Sequence, residues 1–273
     1  MYTLNCKGKL LVLDKPLIMG IINITPDSFY KGNINDDVVA LADKMINDGA
    51  DIIDIGGQST RPKSIRISVE EELERVLPAI TAIHQKFPQA IISIDTYSSE
   101  VAIAAVTAGA SIVNDISAGN MDTNMIATVG KLNVPYICMH MQGTPETMQN
   151  DPQYNDVAKT VTEFFIEKIE ACKVAGIKDV IVDPGFGFGK TIQQNFELLK
   201  NLSYLKILDK PILVGLSRKS MIWRSLGTTA DAALNGTTAL HTIALMNSAL
   251  ILRVHDLKEA KEVIDLFTAY NNA

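Results

Sequence analysis

Three acidic or amide side chains that could hold a nitrogen heterocycle stand at the ends of short apolar segments. Asp95 follows AIISI, Asn114 follows ASIV and Asp183 follows DVIV. A carboxylate can accept two parallel N–H bonds from an aminopyrimidine edge, and an amide both donates and accepts. Each residue also has an ordinary explanation, since Asp and Asn often cap helices and Asp before Pro often forms a turn. Together they predict a site for a flat heterocycle bearing amino and lactam groups.

A second set of residues could bind an anion. Residues 217–220 (SRKS) follow another apolar segment, and Arg253 and His255 lie two apart at the end of the last one. Side chains two apart on a strand point to the same face. Ser220 is expected to begin a helix, whose free N–H groups attract a carboxylate or phosphate. A single Arg or His is usually structural, but this grouping predicts an anion site.

Two other patterns come close to known motifs and fail their spacing. Residues 185–190 lack the first glycine of a P-loop, because Pro184 stands there, and the third glycine of a dinucleotide fingerprint. Their glycines are expected to let the backbone pass close to a ligand, with Phe188 presenting an aromatic face. Cys138 and His140 could form half of a metal site. No other Cys or His lies nearby in sequence, which favours a packed thiol and a hydrogen-bonded imidazole.

Eight segments of one design must position these residues. Each has a few apolar, mostly β-branched residues before a polar or glycine-rich end, which is typical of strands buried on both faces. The predicted strands are 17–23, 50–57, 90–96, 110–117, 134–141, 179–185, 211–217 and 248–255. Segments with helical spacing lie between them, and the clearest are 36–48, 68–87, 98–108, 154–175 and 257–270.

Strand and helix alternate eight times within 273 residues, which predicts a single (β/α)8 barrel, the TIM barrel. A doubly wound open sheet shows the same alternation, but it would collect functional residues near one switch point. Here nearly every strand end carries a polar residue, and barrel enzymes place catalytic residues at those ends. Residues 1–14 are expected to form a β-hairpin around Lys7 and Gly8 that closes the barrel bottom. We expect residues 1–273 to be one domain.

The amino-acid composition restricts the classes of partner that the protein is expected to bind. The chain has 25 Lys plus Arg against 31 Asp plus Glu, a net charge of −6, which argues against general nucleic-acid binding. No apolar run reaches the length of a membrane span, and no signal-peptide pattern is seen. Three widely spaced cysteines predict buried free thiols in a reducing cytoplasm. The acidic surplus is expected on outer helices, as at Glu70, Glu71, Glu72 and Glu74.

Taken in order, the motifs resemble those of the dihydropteroate synthase family over almost the whole chain. The matching strings are GIINITPDSF at 20–29, GGQSTRP at 56–62, IDT at 94–96, NDISAG at 114–119, MHMQGTP at 139–145, DPGFGFGK at 183–190, GLSRKS at 215–220 and RVHD at 253–256. The resemblance implies a transferase of folate biosynthesis. Such an enzyme joins 4-aminobenzoate to a dihydropterin methyl diphosphate and releases pyrophosphate, with Mg²⁺ as cofactor.

The resemblance also implies a site. The pterin pocket would be formed by Asp95, Asn114, Ile116, Met139, Asp183, Phe188, Gly215 and Lys219. Asn23 would help hold magnesium on the diphosphate, and Arg253 and His255 would bind the phosphates. The 4-aminobenzoate side, where sulfonamides compete, would be formed by Phe29, Thr60, Arg61, Pro62, Lys219 and Ser220.

The loop that contains Asp27 is expected to close over the reacting centre and exclude water. The residues expected to take part in catalysis are Asp27, Arg61, Lys219, Arg253 and His255. The partners are then two small molecules, with neither nucleic acid nor membrane. A homodimer through helices late in the chain is also implied, and residues 232–246 are apolar enough to allow it.

Two other functions stay open from the sequence. A pterin-dependent methyltransferase uses a similar barrel and passes a methyl group to a cobalamin partner, but those relatives lack the loops at 60–62 and 217–219. A non-catalytic pterin-binding protein is expected to lose loop or phosphate residues, whereas Asp27, Arg61, Lys219 and Arg253 are all present here.

Overall fold

The computed structural model describes residues 1–24, 34–59, 64 and 66–273. Within them each predicted barrel strand is found inside the segment assigned to it. The strands are β1 Tyr2–Cys6, β2 Lys9–Leu13, β3 Leu17–Asn23, β4 Ile52–Gly56, β5 Ile91–Asp95, β6 Ile112–Asp115, β7 Tyr136–Met139, β8 Val180–Asp183, β9 Leu213–Val214 and β10 Ile251–Val254. The largest difference is at β9, where only two of the seven predicted residues are paired as a strand.

The helices lie between the strands, as their spacing predicts. They are α1 Ile34–Asn47, α2 Val69–Lys86, α3 Ser99–Ala108, α4 Met125–Leu132, α5 Val157–Val174, α6 Ile192–Lys200, α7 Ser220–Ser225, α8 Leu234–Met246 and α9 Leu257–Asn271, with a 3₁₀ helix at Leu202–Leu208. Side chains cap several of them: Ser68 accepts from Glu71 N at α2, and Asp156 accepts from Lys159 N at α5. Gly109 ends α3 with a φ of 132°, which a glycine adopts without strain.

The strands β3 to β10 are parallel and form a barrel, so the prediction of a TIM barrel is confirmed. Their order is β8-β7-β6-β5-β4-β3-β10-β9. A parallel bridge between Val182 and Ile212 joins the two ends, and Val182 N donates to Pro211 O at 3.0 Å. An open doubly wound sheet would leave these two edges apart. The closed arrangement brings all eight carboxyl ends to one rim.

The N-terminal hairpin packs under the barrel. β1 and β2 pair antiparallel, and the turn between them uses positive φ at Lys7 (53°) and Gly8 (87°). Four of its side chains share one apolar cluster with residues near the starts of the barrel strands: Leu4, Cys6, Leu11 and Leu13 against Leu17, Met19, Ile52, Ile112, Ile137, Ile181, Leu213 and Ile251. This cluster fills the amino-terminal end of the barrel, so the polar residues are confined to the opposite end.

The expected placement of acidic residues is wrong at one position. Glu70, Glu71 and Glu74 are exposed, but Glu72 is only 3% exposed, because it lies in the first turn of α2 on the side that faces Thr96. Burial raises the pKa of Glu72.

The cysteines and the helices can be compared with the expectations of buried thiols and of no membrane span. All three cysteines, Cys6, Cys138 and Cys172, are buried and free, as predicted. Among the helices that the structure describes, none combines the length and the apolar character needed to cross a bilayer.

Candidate active site

A cavity of about 490 Å³, measured out to open solvent, lies inside the rim where the barrel strands end. Its walls bring together every residue named above for the pterin pocket and for the phosphates. The lining residues are Ile21, Asp95, Asn114, Ile116, Met139, Asp183, Gly185, Phe186, Phe188, Gly215, Ser217, Lys219, Arg253 and His255. They come from seven of the eight barrel strands or the segments that follow them. Only closure of the barrel places them together.

Two described residues of the predicted site lie outside the cavity wall. Asn23 is the exposed last residue of β3, and Ser220 is the exposed first residue of α7. The other predicted residues, Asp27, Phe29, Thr60, Arg61 and Pro62, lie outside the described residues.

Asp183 ends β8 and serves both of the roles that its sequence context allows. Its Oδ1 accepts from Gly185 N at 2.8 Å, which forms the turn after Pro184. Its carboxylate also lines the cavity, and burial raises its pKa against the lowering effect of Gly185 N and the nearby Lys219. The second carboxylate oxygen is therefore available to a ligand.

Asp95 and Asn114 are not helix caps. The residue that caps α3 is Ser98, whose hydroxyl accepts from Val101 N, and α4 begins after Asn124. Asp95 and Asn114 both point into the cavity instead.

Arg253 lines the cavity and pairs with two buried acids. Its Nε donates to Asp54 Oδ2 and its Nη2 to Asp95 Oδ2, each at 2.6 Å. Asn114 Nδ2 donates to the same Asp54 oxygen at 3.1 Å. Burial alone would lower the pKa of Arg253, but Asp54 and Asp95 raise it, so the guanidinium stays charged. For Asp95, burial raises the pKa more than Arg253 lowers it.

Lys219 is the second cation of the cavity. Its Nζ donates to Phe186 O at 2.7 Å and lies 4.3 Å from the centroid of the Phe188 ring. Burial lowers the pKa of Lys219 to about 8, while Asp183 opposes the shift. A flat ring that entered the cavity would meet an aromatic face at Phe188 and a cation beside it.

His255 lies at the outer end of the cavity. Its Nδ1 is 3.1 Å from Ser217 Oγ, which leaves Nε2 for a ligand. Desolvation at the rim and repulsion by Arg253 lower the pKa of His255, although the side chain itself is exposed. At neutral pH this imidazole is therefore uncharged.

The predicted anion group at residues 217–220 is split by the structure. Arg218 turns away from the cavity and forms a two-point ion pair with Asp256, with Nε to Oδ2 at 2.8 Å and Nη2 to Oδ1 at 2.7 Å. Ser217 and Lys219 line the cavity, whereas Arg218 joins the β9 segment to the start of α9. Asp256 therefore neutralises the charge of Arg218, and this guanidinium does not face the cavity.

The glycine segment after β8 packs closely, but chiefly on protein backbone. A Cβ at Gly185 would stand 2.0 Å from His140 O, and one at Gly189 would stand 2.5 Å from Gln142 O. Both glycines have positive φ, 68° and 61°. The expectation that the glycines serve the approach to a ligand is therefore incomplete, because two of them are required by the segment after β7.

Lys190, the last residue of the glycine segment, fixes this segment through hydrogen bonds from its buried side chain. It is 2% exposed, and its Nζ donates to Gly185 O at 2.9 Å and Phe188 O at 3.0 Å, and contacts His140 Nδ1 at 3.0 Å. His140 is thus a hydrogen-bonded imidazole, and Cys138 packs in the main apolar core. No cluster of three potential metal-binding His, Cys, Asp or Glu side chains occurs in the ranges that the structure describes.

Asp54 is a further residue of the site that the strand-end pattern does not predict. It lies in the middle of β4, is fully buried and contacts two cavity residues. An acid between isoleucines in a strand buried on both faces is itself a signal, because burial of a charge requires a partner.

Comparison with known proteins agrees with this geometry. Residues 19–255 match the family model described as pterin binding enzyme. The dihydropteroate synthase of Escherichia coli K12 is 44% identical over 268 residues, which cover 96% of this chain and 94% of the relative.

Two solved structures are similar over nearly their full length. The Xanthomonas albilineans dihydropteroate synthase with 4-aminobenzoic acid has a TM-score of 0.93 at 39% identity. The match covers 99% of this chain and 98% of the solved chain. The Yersinia pestis dihydropteroate synthase in complex with a sulfonamide drug has a TM-score of 0.94 at 40% identity and covers 100% of both chains. The chain therefore belongs to the pterin-binding enzymes and, within them, to the dihydropteroate synthase family.

Proposed function

We propose that this protein forms 7,8-dihydropteroate from 4-aminobenzoate and (7,8-dihydropterin-6-yl)methyl diphosphate and releases pyrophosphate. The observation that carries the proposal is the content of one cavity. Buried acceptors and an amide, Asp95, Asp183 and Asn114, lie within reach of the same ligand as the cations Lys219 and Arg253. Acceptors of this kind match the amino and lactam edge of a pterin, and the cations match its diphosphate.

The pterin is held deep in the barrel. The oxygen of Asp183 that does not accept from Gly185 N faces the cavity and can accept from the ring amino group. Phe188 covers one face of the ring, and Lys219 lies beside it. These contacts fix the methylene carbon of the substrate with respect to the rim.

The reaction replaces one bond at that carbon. The bond between the methylene carbon and the diphosphate oxygen breaks, and its electron pair leaves with pyrophosphate. The lone pair of the 4-aminobenzoate nitrogen forms the new C–N bond, and that nitrogen then loses one proton to water. The amine is neutral before attack, so no strong base is required. Arg253 and the Nε2 of His255 would stabilise the charge that develops on the leaving group.

Magnesium is part of the proposal, and Asn23 would contribute to its binding. The amide oxygen of Asn23 is a hard ligand at the rim, and Mg²⁺ is usually bound by few protein oxygens together with substrate phosphates. A single exposed amide fits this role better than a preformed cage of carboxylates. Bound there, Mg²⁺ would supply Lewis-acid stabilisation of the diphosphate.

We further propose a cytoplasmic homodimer. Three buried free thiols suit a reducing compartment. Ile243 and Met246 are exposed on α8, and an exposed apolar helix face suits self-association. Size-exclusion chromatography with multi-angle light scattering tests the dimer. A molar mass equal to that of one chain at micromolar concentration would contradict it.

A coupled assay tests the reaction. Pyrophosphate release is measured with the pterin diphosphate alone, with 4-aminobenzoate added, and with and without Mg²⁺. We expect release that depends on 4-aminobenzoate, is lost on chelation and is inhibited competitively by a sulfonamide. Methyl transfer to a cobalamin acceptor without pyrophosphate release would favour the methyltransferase instead. Tight pterin binding without any release would favour a non-catalytic binding protein.

A further inference from the structure

A second layer of polar residues lies beneath the ligand-facing ones, and Asp54 is at its centre. Its Oδ2 accepts from Arg253 Nε at 2.6 Å and from Asn114 Nδ2 at 3.1 Å. It thereby joins residues from β4, β6 and β10, which are far apart in sequence. One carboxylate oxygen fixes the direction of two side chains that line the cavity.

Packing alone does not account for an acid at this position. Asp54 is 0% exposed, and the adjacent residues of its strand, Ile53 and Ile55, are apolar and fully packed. Its Oδ1 has no hydrogen-bond partner in the part of the chain that the structure describes. A buried carboxylate with an unpaired oxygen opposes folding, so an apolar residue would be favoured here if stability were the only requirement.

We infer that Asp54 is a positioning residue of the pterin site: it holds the Arg253 guanidinium and the Asn114 amide in the directions in which they meet the ligand. The inference rests on the proposed function and adds a residue to it. Asp54 itself is absent from the cavity wall, so its carboxylate is not placed to contact a ligand there. Its effect is transmitted through the two side chains that it holds.

The negative charge of Asp54 has a second effect, on Asp95. Both carboxylates share the single guanidinium of Arg253. The groups that act on Asp95 are Arg253 from β10, Asp54 from β4, Glu72 from α2, Asp115 from β6 and Lys219 after β9. After burial itself, the acids among them, Asp54 first, raise the pKa of Asp95. Removing the charge of Asp54 therefore lowers the pKa of Asp95.

The test uses the full chain with Asp54→Asn. We expect the KM for the pterin diphosphate to rise about tenfold or more, with the KM for 4-aminobenzoate changed by less than about twofold, because only the pterin side is misaligned. We also expect the acidic limb of kcat/KM for the pterin substrate to move to lower pH, since Asp95 ionises more readily without the charge of Asp54. If Asp54 were only structural, the substitution would change neither the ratio of the two KM values nor the pH of the acidic limb of kcat/KM.

Ser93→Ala is the matched control. Ser93 is the register partner of Asp54 on β5, is equally buried, and its Oγ has no hydrogen-bond partner within the described ranges. This variant should keep both KM values and the pH profile of the unmodified protein. A Ser93→Ala variant that reproduced the Asp54→Asn effects would overturn the inference, because any change in this layer would then suffice.

Asp54→Glu separates geometry from charge and replaces the Asn variant if that one does not fold. It keeps the charge but displaces the shared oxygen by one methylene, so the KM for the pterin substrate should rise while the acidic limb stays in place. Unchanged pterin KM values in the folded variants would overturn the inference, provided that the unmodified protein releases pyrophosphate. If the unmodified protein does not, the proposed function fails first, and binding of a phosphate-free pterin to the same variants decides the role of Asp54.

Discussion

Nζ of Lys190 lies 3.0 Å from Nδ1 of His140, with both side chains buried beneath the glycine segment that covers the pterin cavity. Burial, with repulsion from Lys190, lowers the pKa of His140 to about 2, so the imidazole is neutral and accepts from the lysine. The same Nζ donates to Gly185 O and Phe188 O, both in residues of the cavity wall. Burial lowers the pKa of Lys190 itself to about 7. A buried lysine thus holds the cavity wall in place although its own side chain is not part of that wall.

Removal of the Lys190 amine should destabilise the glycine segment. Lys190→Met leaves the two carbonyls without their donor, and we expect the free energy of unfolding to fall by about 2–4 kcal/mol. Urea denaturation measures the change. Lys200→Met, on the exposed surface at the end of α6, should lie within about 0.5 kcal/mol of the unmodified protein. Equal stabilities of the two variants would refute the role given to Lys190.

Gly185 should tolerate no side chain. Its φ is 68°, and an added Cβ would stand 2.0 Å from His140 O, so Gly185→Ala must displace backbone. We expect a loss of about 3 kcal/mol or more. At Gly176 the φ is 85° but nothing lies within 4 Å, so Gly176→Ala should cost only the left-handed conformation, about 1 kcal/mol. Urea unfolding of the two variants separates close contact from backbone strain.

The two arginine pairs at the rim should differ in their contribution to stability. Arg253→Ala leaves Asp54 and Asp95 buried without their cation, which we expect to cost about 3–5 kcal/mol. The Arg218 pair with Asp256 is partly exposed, at 29% and 17% of the two side chains, so Arg218→Ala should cost about 1 kcal/mol. Arg253→Ala should also weaken binding of the pterin diphosphate more than binding of a phosphate-free pterin. Equal losses for both ligands would contradict its phosphate role.

Asp183→Asn tests the pterin acceptor. The Asn oxygen can still accept from Gly185 N, so the turn persists, while the second oxygen becomes a donor that faces the ring amino group. We expect pterin affinity to fall about 10- to 100-fold by calorimetry. Asp156→Asn is the control, because Asn caps α5 as well as Asp does. Near-normal turnover with tight pterin binding in Asp183→Asn would exclude this assignment.

Lys219 should set the alkaline limit of activity. Burial lowers its pKa to about 8, and the ammonium form is the one that can bind an anion, so kcat/KM should fall as pH rises through about 8. Lys219→Arg stays charged over this range. Its overall rate should be lower, but its alkaline limb should lie at higher pH than that of the unmodified protein. A limb at the same pH in both proteins would assign it to another group.

The strands and helices could be predicted from local pattern because strands buried on both faces leave continuous apolar runs. The polar residues at nearly every strand end then favoured a closed barrel over an open doubly wound sheet. Much of the site followed for the same reason. Parallel strands end at one rim, so Asp95, Asn114, Asp183 and Arg253 could be grouped from their positions at strand ends alone.

The contacts behind the ligand could not be predicted in this way. Arg253 and Asp54 are 199 residues apart, and nothing local shows which buried acid an arginine meets across a barrel. Arg218 and Lys219 are adjacent in sequence, yet one pairs with Asp256 and the other lines the cavity, because Arg218 adopts a positive φ of 54° that turns the chain between them. Such choices depend on tertiary packing and leave no periodic signal.

The hairpin at the amino-terminal end of the barrel limits the routes by which ligands can enter and leave the cavity. Leu4, Cys6, Leu11 and Leu13 fill that end with apolar side chains, so the cavity is a well with a solid base rather than a passage through the barrel. Entry and exit share the rim. Whatever binds at the base and whatever binds above it must therefore pass the same rim, and a product joined from both must leave by it.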